Sequence, residues 1–181
     1  VSFTTKVSIN ETKEYVEPLD IDVELAQGMI PVKFDASGNI VVADTNSEWY
    51  NYKTHEWANA VLVNCADSAI KSKYFDSNNK VLASAVGKTI SMDEIMQMYV
   101  YIPRYKYQLF NAEDGTSNPQ AINITFESKT TAKSTGSRNN EWLTHPAFTF
   151  GDKELAGIWV GKFETSNTKE LPKIVPNVSS L

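Results

Sequence analysis

The sequence predicts an α+β fold with a β majority, made of short antiparallel strands, one or two short helices and an N-terminal β arm. Three observations carry that prediction. Apolar and polar residues alternate with a period of two in several short runs, the signature of half-buried strands. Turn-forming clusters such as Asp35-Ala36-Ser37-Gly38 separate those runs at short intervals. A capping signal for a helix is legible at Ser91, and the spacing of elements does not fit repeated βαβ units.

In chain order, Val1, Phe3, Val7 and Ile9 share one parity, as do Leu19, Ile21, Val23 and Leu25 after them. These two runs read as a hairpin or strand-exchange arm, and the composition breaks at Gln27-Gly28. Residues 1–27 are therefore expected to form an arm, or the tail of an upstream domain, that pairs outside the main core. Residues 28–181 are expected to form a single β-rich domain. Met29–Phe34 and Asn39–Ala43 predict two strands joined by the Asp35–Gly38 turn. An aromatic knot of Trp49, Tyr50, Tyr52 and Trp57 follows, with His55 inside it, and then an apolar buried run at Ala58–Asn64.

Lys71–Lys80 is polar and turn-rich and reads as a surface loop. Ser91 with Glu94 three residues later forms a capping-box pattern, which predicts a two-turn helix carrying Met92, Ile95 and Met96. Met98–Phe110 is the strongest strand pattern, with Pro103 marking an edge or bulge. Ala121–Glu127 and Gly157–Thr165 predict further strands, and Ser128–Asn140 an exposed loop. Leu171–Leu181, with Pro172 and Pro176, reads as an extended segment.

Composition excludes more than it selects. A net charge of −5 offers no electrostatic footprint for nucleic acid or an anionic membrane. No apolar run is long enough for a membrane span. Cys65 is the sole cysteine, which rules out an internal disulfide framework and a multi-thiolate zinc site. The chain has no initiator methionine and no signal-peptide pattern at Val1, so it reads as a processed or excised piece.

Catalytic signatures are equally sparse. The chain has no G-x-S-x-G elbow, no Walker A loop and no G-x-G-x-x-G. Cys65 lies in the apolar stretch Val61–Ala66, where a thiol is ordinarily inert packing, and His145 before Pro146 reads as structural. Asp20, Asp22 and Glu24 alternate on one strand face, about 7 Å apart, too far to chelate one ion together. Asp76–Lys80 lacks the glycine and distal glutamate of a calcium loop and reads as a turn. No metal, cofactor or catalytic residue is assigned.

The aromatic knot has two readings. Large rings are first of all core material. They also form flat platforms for the apolar faces of pyranoses. Farther on, Tyr99, Tyr101, Tyr105 and Tyr107 share one strand face, while Arg104 and Lys106 make the later half of the opposite face cationic, which suits a rim or interface. The expected recognition rim is Trp49, Tyr52, Trp57, Arg104, Tyr105 and Tyr107. Trp159 and Phe163, flanking Gly161 on one face, read as core, with Ile158 and Val160 buried on the other face.

Three segments together resemble a known group: Met29–Val32 through Ala43-Asp44 and Trp49–Val61; Met98–Tyr107 with Ile102-Pro103-Arg104-Tyr105; and His145–Gly151 through Gly157–Glu164. The chain resembles the front half of large tail-fibre, receptor-binding or adhesin-like proteins of Gram-positive bacteria and their phages. Trp159–Glu164 is similar to the opening strand of the formylglycine-generating-enzyme branch of the C-type-lectin fold. That resemblance implies a binding scaffold whose second half lies beyond Val178. The catalytic cysteines of that enzyme branch have no counterpart here.

The resulting expectation is a non-enzymatic attachment module on a virion or extracellular cell surface. Its expected partners are other virion or surface subunits, a host glycan or protein receptor, and further copies of itself in a homo-oligomer. A purely structural tail, capsid or filament subunit is the second reading, and a glycan-acting enzyme the third.

Overall fold

The computed structural model describes residues 21, 23–109, 122–138, 140–167 and 172–178. The first predicted strand, and Leu19, Asp20 and Asp22 of the second, fall outside these residues. The described part of that second run, Ile21 and Val23–Leu25, is not strand, although exposure still alternates over Val23–Leu25. Two compact units emerge. The larger takes residues 23–102 and 159 onward, and the smaller takes 103–158. Both are built from antiparallel strands, with a single α-helix among the described residues.

The larger unit holds a five-stranded sheet. Strands β1 (Ile30–Phe34), β2 (Ile40–Val42), β3 (Asn59–Val63), β4 (Ile95–Pro103) and the later β10 (Gly157–Gly161) are ordered β10-β4-β3-β1-β2. The expected β1–β2 hairpin forms because Asp35 organises its turn. The Asp35 carboxylate accepts from the Ser37 and Asn39 backbone N–H groups, each at 2.8 Å, and Gly38 takes φ +81°. The Asn39 side-chain amide and backbone N–H hold the Asp35 carboxyl below its ordinary pKa.

Cross-strand register then brings core residues together. Register sets Ile30 opposite Val61, and Val61 opposite Met98, so one cross-strand row enters the core. Tyr74, Phe75, Ala85 and Ile90 cover that face. Val175 joins them because the C-terminal segment runs beside β4, where Ile174 exchanges backbone hydrogen bonds with Met96 and Met98.

Several expectations are corrected here. Helix α1 (Ser68–Tyr74) occupies part of the stretch read as a loop. The Asp67 side chain caps it, accepting from Ala69 and Ile70 N–H groups, and Tyr74 anchors it in the core. The helix expected at Ser91 is only a turn. Lys73 donates to Glu94 at 2.9 Å and Tyr74 donates to the same carboxylate, so it does not reach back to cap Ser91. Ile95 already pairs with Val63 in the sheet. Cys65 is exposed rather than packed, because a tight Cys65 N–H to Val63 C=O bond (2.8 Å) turns the chain out of β3.

The long strand expected from Met98 is two strands, β4 and β5 (Tyr105–Gln108). Proline at 103 has no N–H to extend the ladder, and Arg104 bonds instead to the Ala156 carbonyl at 2.8 Å. In the smaller unit β5 lies between β6 (Ile124–Phe126) and β7 (Trp142–Thr144). A 3-10 turn at Pro146–Phe148 leads into the hairpin of β8 (Thr149–Phe150) and β9 (Lys153–Glu154). Among its described residues, Phe148 and Arg104 are the fully buried large side chains.

Trp159 is only half-buried. Its ring meets Tyr101 edge-on at 5.3 Å, and its indole N–H donates to the Glu24 carbonyl at 3.0 Å. Val160 and Phe163 are exposed at 40% and 39%, so β10 is not buried on both faces as expected. The expected close approach at Gly161 does occur. A Cβ there would lie 3.1 Å from Ile174 Cγ2.

Candidate functional site

The site begins with the chain leaving β2. Asp44 accepts from Asn46 N–H at 2.9 Å and turns the backbone into residues 45–58. That segment closes on itself. Asn51 and Glu56 exchange backbone hydrogen bonds of 2.7 and 2.8 Å, the Asn51 side chain caps the 3-10 turn Tyr52–Thr54, and His55 takes φ +63° to complete the reversal. Edge-on and tilted ring contacts run from Trp49 to Tyr50 (5.1 Å), Tyr50 to Tyr52 (5.6 Å) and Tyr52 to Trp57 (5.2 Å). A closed loop and a chain of touching rings hold the two tryptophans in fixed positions.

Beside this loop lies a cleft of about 600 Å³, large enough for a small ligand. Val32, Asn59 and Val100 are successive cross-strand partners of β1, β3 and β4 and form one row of its lining. Phe34, two residues beyond Val32 and so on the same face of β1, extends the row and is 52% exposed. The loop contributes Trp49, Trp57, Glu48, His55 and Glu56, while Lys33 and Lys162 bring positive charge from other elements.

Asn59 ties these parts together. Its side-chain amide donates to the Trp57 carbonyl at 2.6 Å and accepts from Lys162 Nζ at 2.8 Å. One residue of the sheet thereby fixes both an aromatic backbone position and a cationic head. The Lys162 ammonium also stands 5.4 Å from the Phe34 ring centre. Loss of solvent around it pushes the Lys162 pKa down. The arrangement offers flat apolar rings, hydroxyl-accepting carboxylates and an ammonium around one hollow.

The residues expected to form the recognition rim divide three ways. Trp49 and Trp57 line the cleft. Tyr52 does not: it is 6% exposed, its hydroxyl donates to the buried Tyr101 carbonyl at 3.0 Å, and it supports the two tryptophans from within. Arg104, Tyr105 and Tyr107 belong to the smaller unit. There Arg104 is 0% exposed and pairs with Glu127 at 2.9 Å and with Glu154, so it is a buried ionic centre and not a surface contact. Tyr105 packs against His145 and Phe148, each at 5.2 Å, and burial raises its pKa. Tyr107 lies 6.1 Å from His145, whose Nδ1 accepts from Ala147 N–H and caps the Pro146–Phe148 turn.

Sequence reasoning missed Phe34, Asn59 and Lys162. Phe34 and Lys162 sit in segments read as strand and Asn59 in a run read as buried, and only cross-strand register brings them to one hollow. Among the described residues, no group of three or more His, Cys, Asp or Glu side chains is placed to hold a metal ion. No helix among them is long and apolar enough to cross a membrane. Comparison with protein-family models, curated proteins and solved structures finds no match to this chain.

Proposed function

We propose that this protein is a non-enzymatic attachment module that binds carbohydrate in the Trp49–Trp57 cleft, displayed on a phage virion or a bacterial cell surface. Its fold, on this reading, is related to part of a C-type-lectin-like domain. One observation carries the proposal. Two tryptophans held by a closed loop border a hollow that also presents Asn59, Glu48, Glu56 and His55. Pyranose rings have apolar faces that stack on such rings and hydroxyl rims that bond to such polar groups. A rigid aromatic pair limits the ordering cost of binding.

A glycan array followed by calorimetry on the best oligosaccharide tests this reading. Trp57→Ala should weaken binding roughly 30-fold or more, the scale of a truncated aromatic anchor worth about 2 kcal/mol. Unchanged affinity, or an array on which nothing binds, would overturn it.

A second reading, a structural subunit of a tail, capsid or filament, draws on an adjoining surface that shares Phe34 and Lys162 with the cleft. Phe34, Met92 and Phe163 are exposed and line an apolar hollow with Met98 and Pro176. Contact with another copy of this chain would cover it. Sedimentation of the parent and of Met92→Glu separates the readings. A dissociating variant that retains glycan binding assigns the two surfaces separate roles.

A further inference from the structure

We propose that the carbohydrate bound in this cleft is an acidic one, whose carboxylate or phosphate substituent pairs with the Lys162 ammonium. This rests on the carbohydrate reading above and adds the charge of the ligand. The starting point is where Lys162 is held. Lys73, Arg104 and Lys133 face a carboxylate within ion-pair distance; the Lys162 head is instead held at the cleft by uncharged groups. Lys162 faces the neutral side-chain oxygen of Asn59 at 2.8 Å and the Phe34 ring. A lysine ammonium has three donors, and Asn59 is its only hydrogen-bond acceptor among the described residues.

The position of this cation is built rather than incidental. The Lys162 backbone N–H donates to the Met98 carbonyl at 2.9 Å, which fixes where the side chain starts from β4. Asn59, itself held by the Trp57 carbonyl, fixes where it ends. Partial loss of solvent around the ammonium lowers its pKa, although the residue stays open to the cleft. An incoming anion would supply a charged partner.

The same cleft carries Glu48 and Glu56, which would repel an anion placed beside them. They come from the loop, whereas Lys162 follows β10 and Lys33 lies in β1. A ligand with an anionic group on one side and hydroxyl donors on the other satisfies both sets. An acidic pyranose has that pattern, and a neutral sugar leaves the ammonium without an anion. The overall charge of −5 argues against long-range steering, so selectivity should arise from this contact.

The test compares three oligosaccharides of matched backbone by calorimetry: neutral, uronate-bearing and phosphate-bearing. The parent should bind at least one acidic form about tenfold or more tightly than the neutral form, the scale of a charge-assisted hydrogen bond. Lys162→Gln should remove that difference. Lys162→Arg should retain the preference. The uronate and phosphate arms tell which anion is read. Equal binding of neutral and acidic forms by the parent overturns the charge inference and leaves the carbohydrate reading standing. A preference that survives in Lys162→Gln also overturns it. Failure of the parent to bind any of these or any array oligosaccharide removes both.

Discussion

Replacing Arg104 with methionine gives the sharpest test of how the smaller unit is held together. The guanidinium is 0% exposed and the Glu127 side chain 2%, while Glu154 is 30% exposed. Methionine keeps apolar volume but deletes the charge. Glu154 can then turn to water and lose little, since exposed pairs are worth about 0–1 kcal/mol. Glu127 has no such escape. It retains only the Thr144 hydroxyl, which donates at 2.7 Å, and its other oxygen already lacks a partner. Removing one member of a buried pair costs about 3–5 kcal/mol, and nearly all of that cost falls on Glu127.

Urea unfolding followed by circular dichroism at about pH 8 should therefore show Arg104→Met destabilised by about 3–5 kcal/mol. The double variant Arg104→Met/Glu127→Gln should recover much of the loss, because it leaves no uncompensated charge. A single variant within about 1 kcal/mol of the parent, or a double variant no better than the single, would refute the reasoning.

The remaining predictions are briefer. Tyr52→Phe should lower stability by about 1 kcal/mol through loss of the bond to the Tyr101 carbonyl, and calorimetry should show ligand affinity little changed, in keeping with Tyr52 as a buried support. Burial tends to raise the pKa of Glu94, but hydrogen bonds from Tyr74 and Lys73 outweigh it and hold the pKa below its ordinary value. That contribution is present above the unfolded-state pKa of about 4.3 and disappears as pH falls through the folded value. The melting-temperature gap between parent and Glu94→Gln should thus be open near neutral pH and close in acid. Gly161→Val should crowd Ile174, 3.1 Å from the first added carbon, and cost about 1–3 kcal/mol. Faster hydrogen exchange around Ile174 would register it. Addition of a chelator should leave the melting curve unmoved; a shift would expose a metal site.

Short-range chemistry was legible in the sequence. Short apolar runs at Met29–Phe34 and Asn39–Ala43, bounded by a turn sequence, gave β1 and β2, which are largely buried. Asp35 through Gly38 marked the turn between them, since an aspartate bonding its own loop and a glycine at positive φ act within four residues. The aromatic density from Trp49 to Trp57 located half of the candidate cleft.

What tertiary structure alone decided depended on partners distant in sequence. Glu94 carries the pattern of a helix cap, yet Lys73 and Tyr74 take its carboxylate and the helix does not form. Arg104 looked like a surface cation in an alternating strand, and only Glu127 and Glu154, arriving 23 and 50 residues later, make its burial affordable. Asn59 and Lys162, separated by 103 residues, meet because the strand order sets β4 between β3 and β10. By itself the sequence determined the class of fold, its turns and the aromatic loop, because those follow from neighbours along the chain. The tertiary structure decided which charges are buried and which line the cleft, because a charge's environment is set by whatever the fold packs around it.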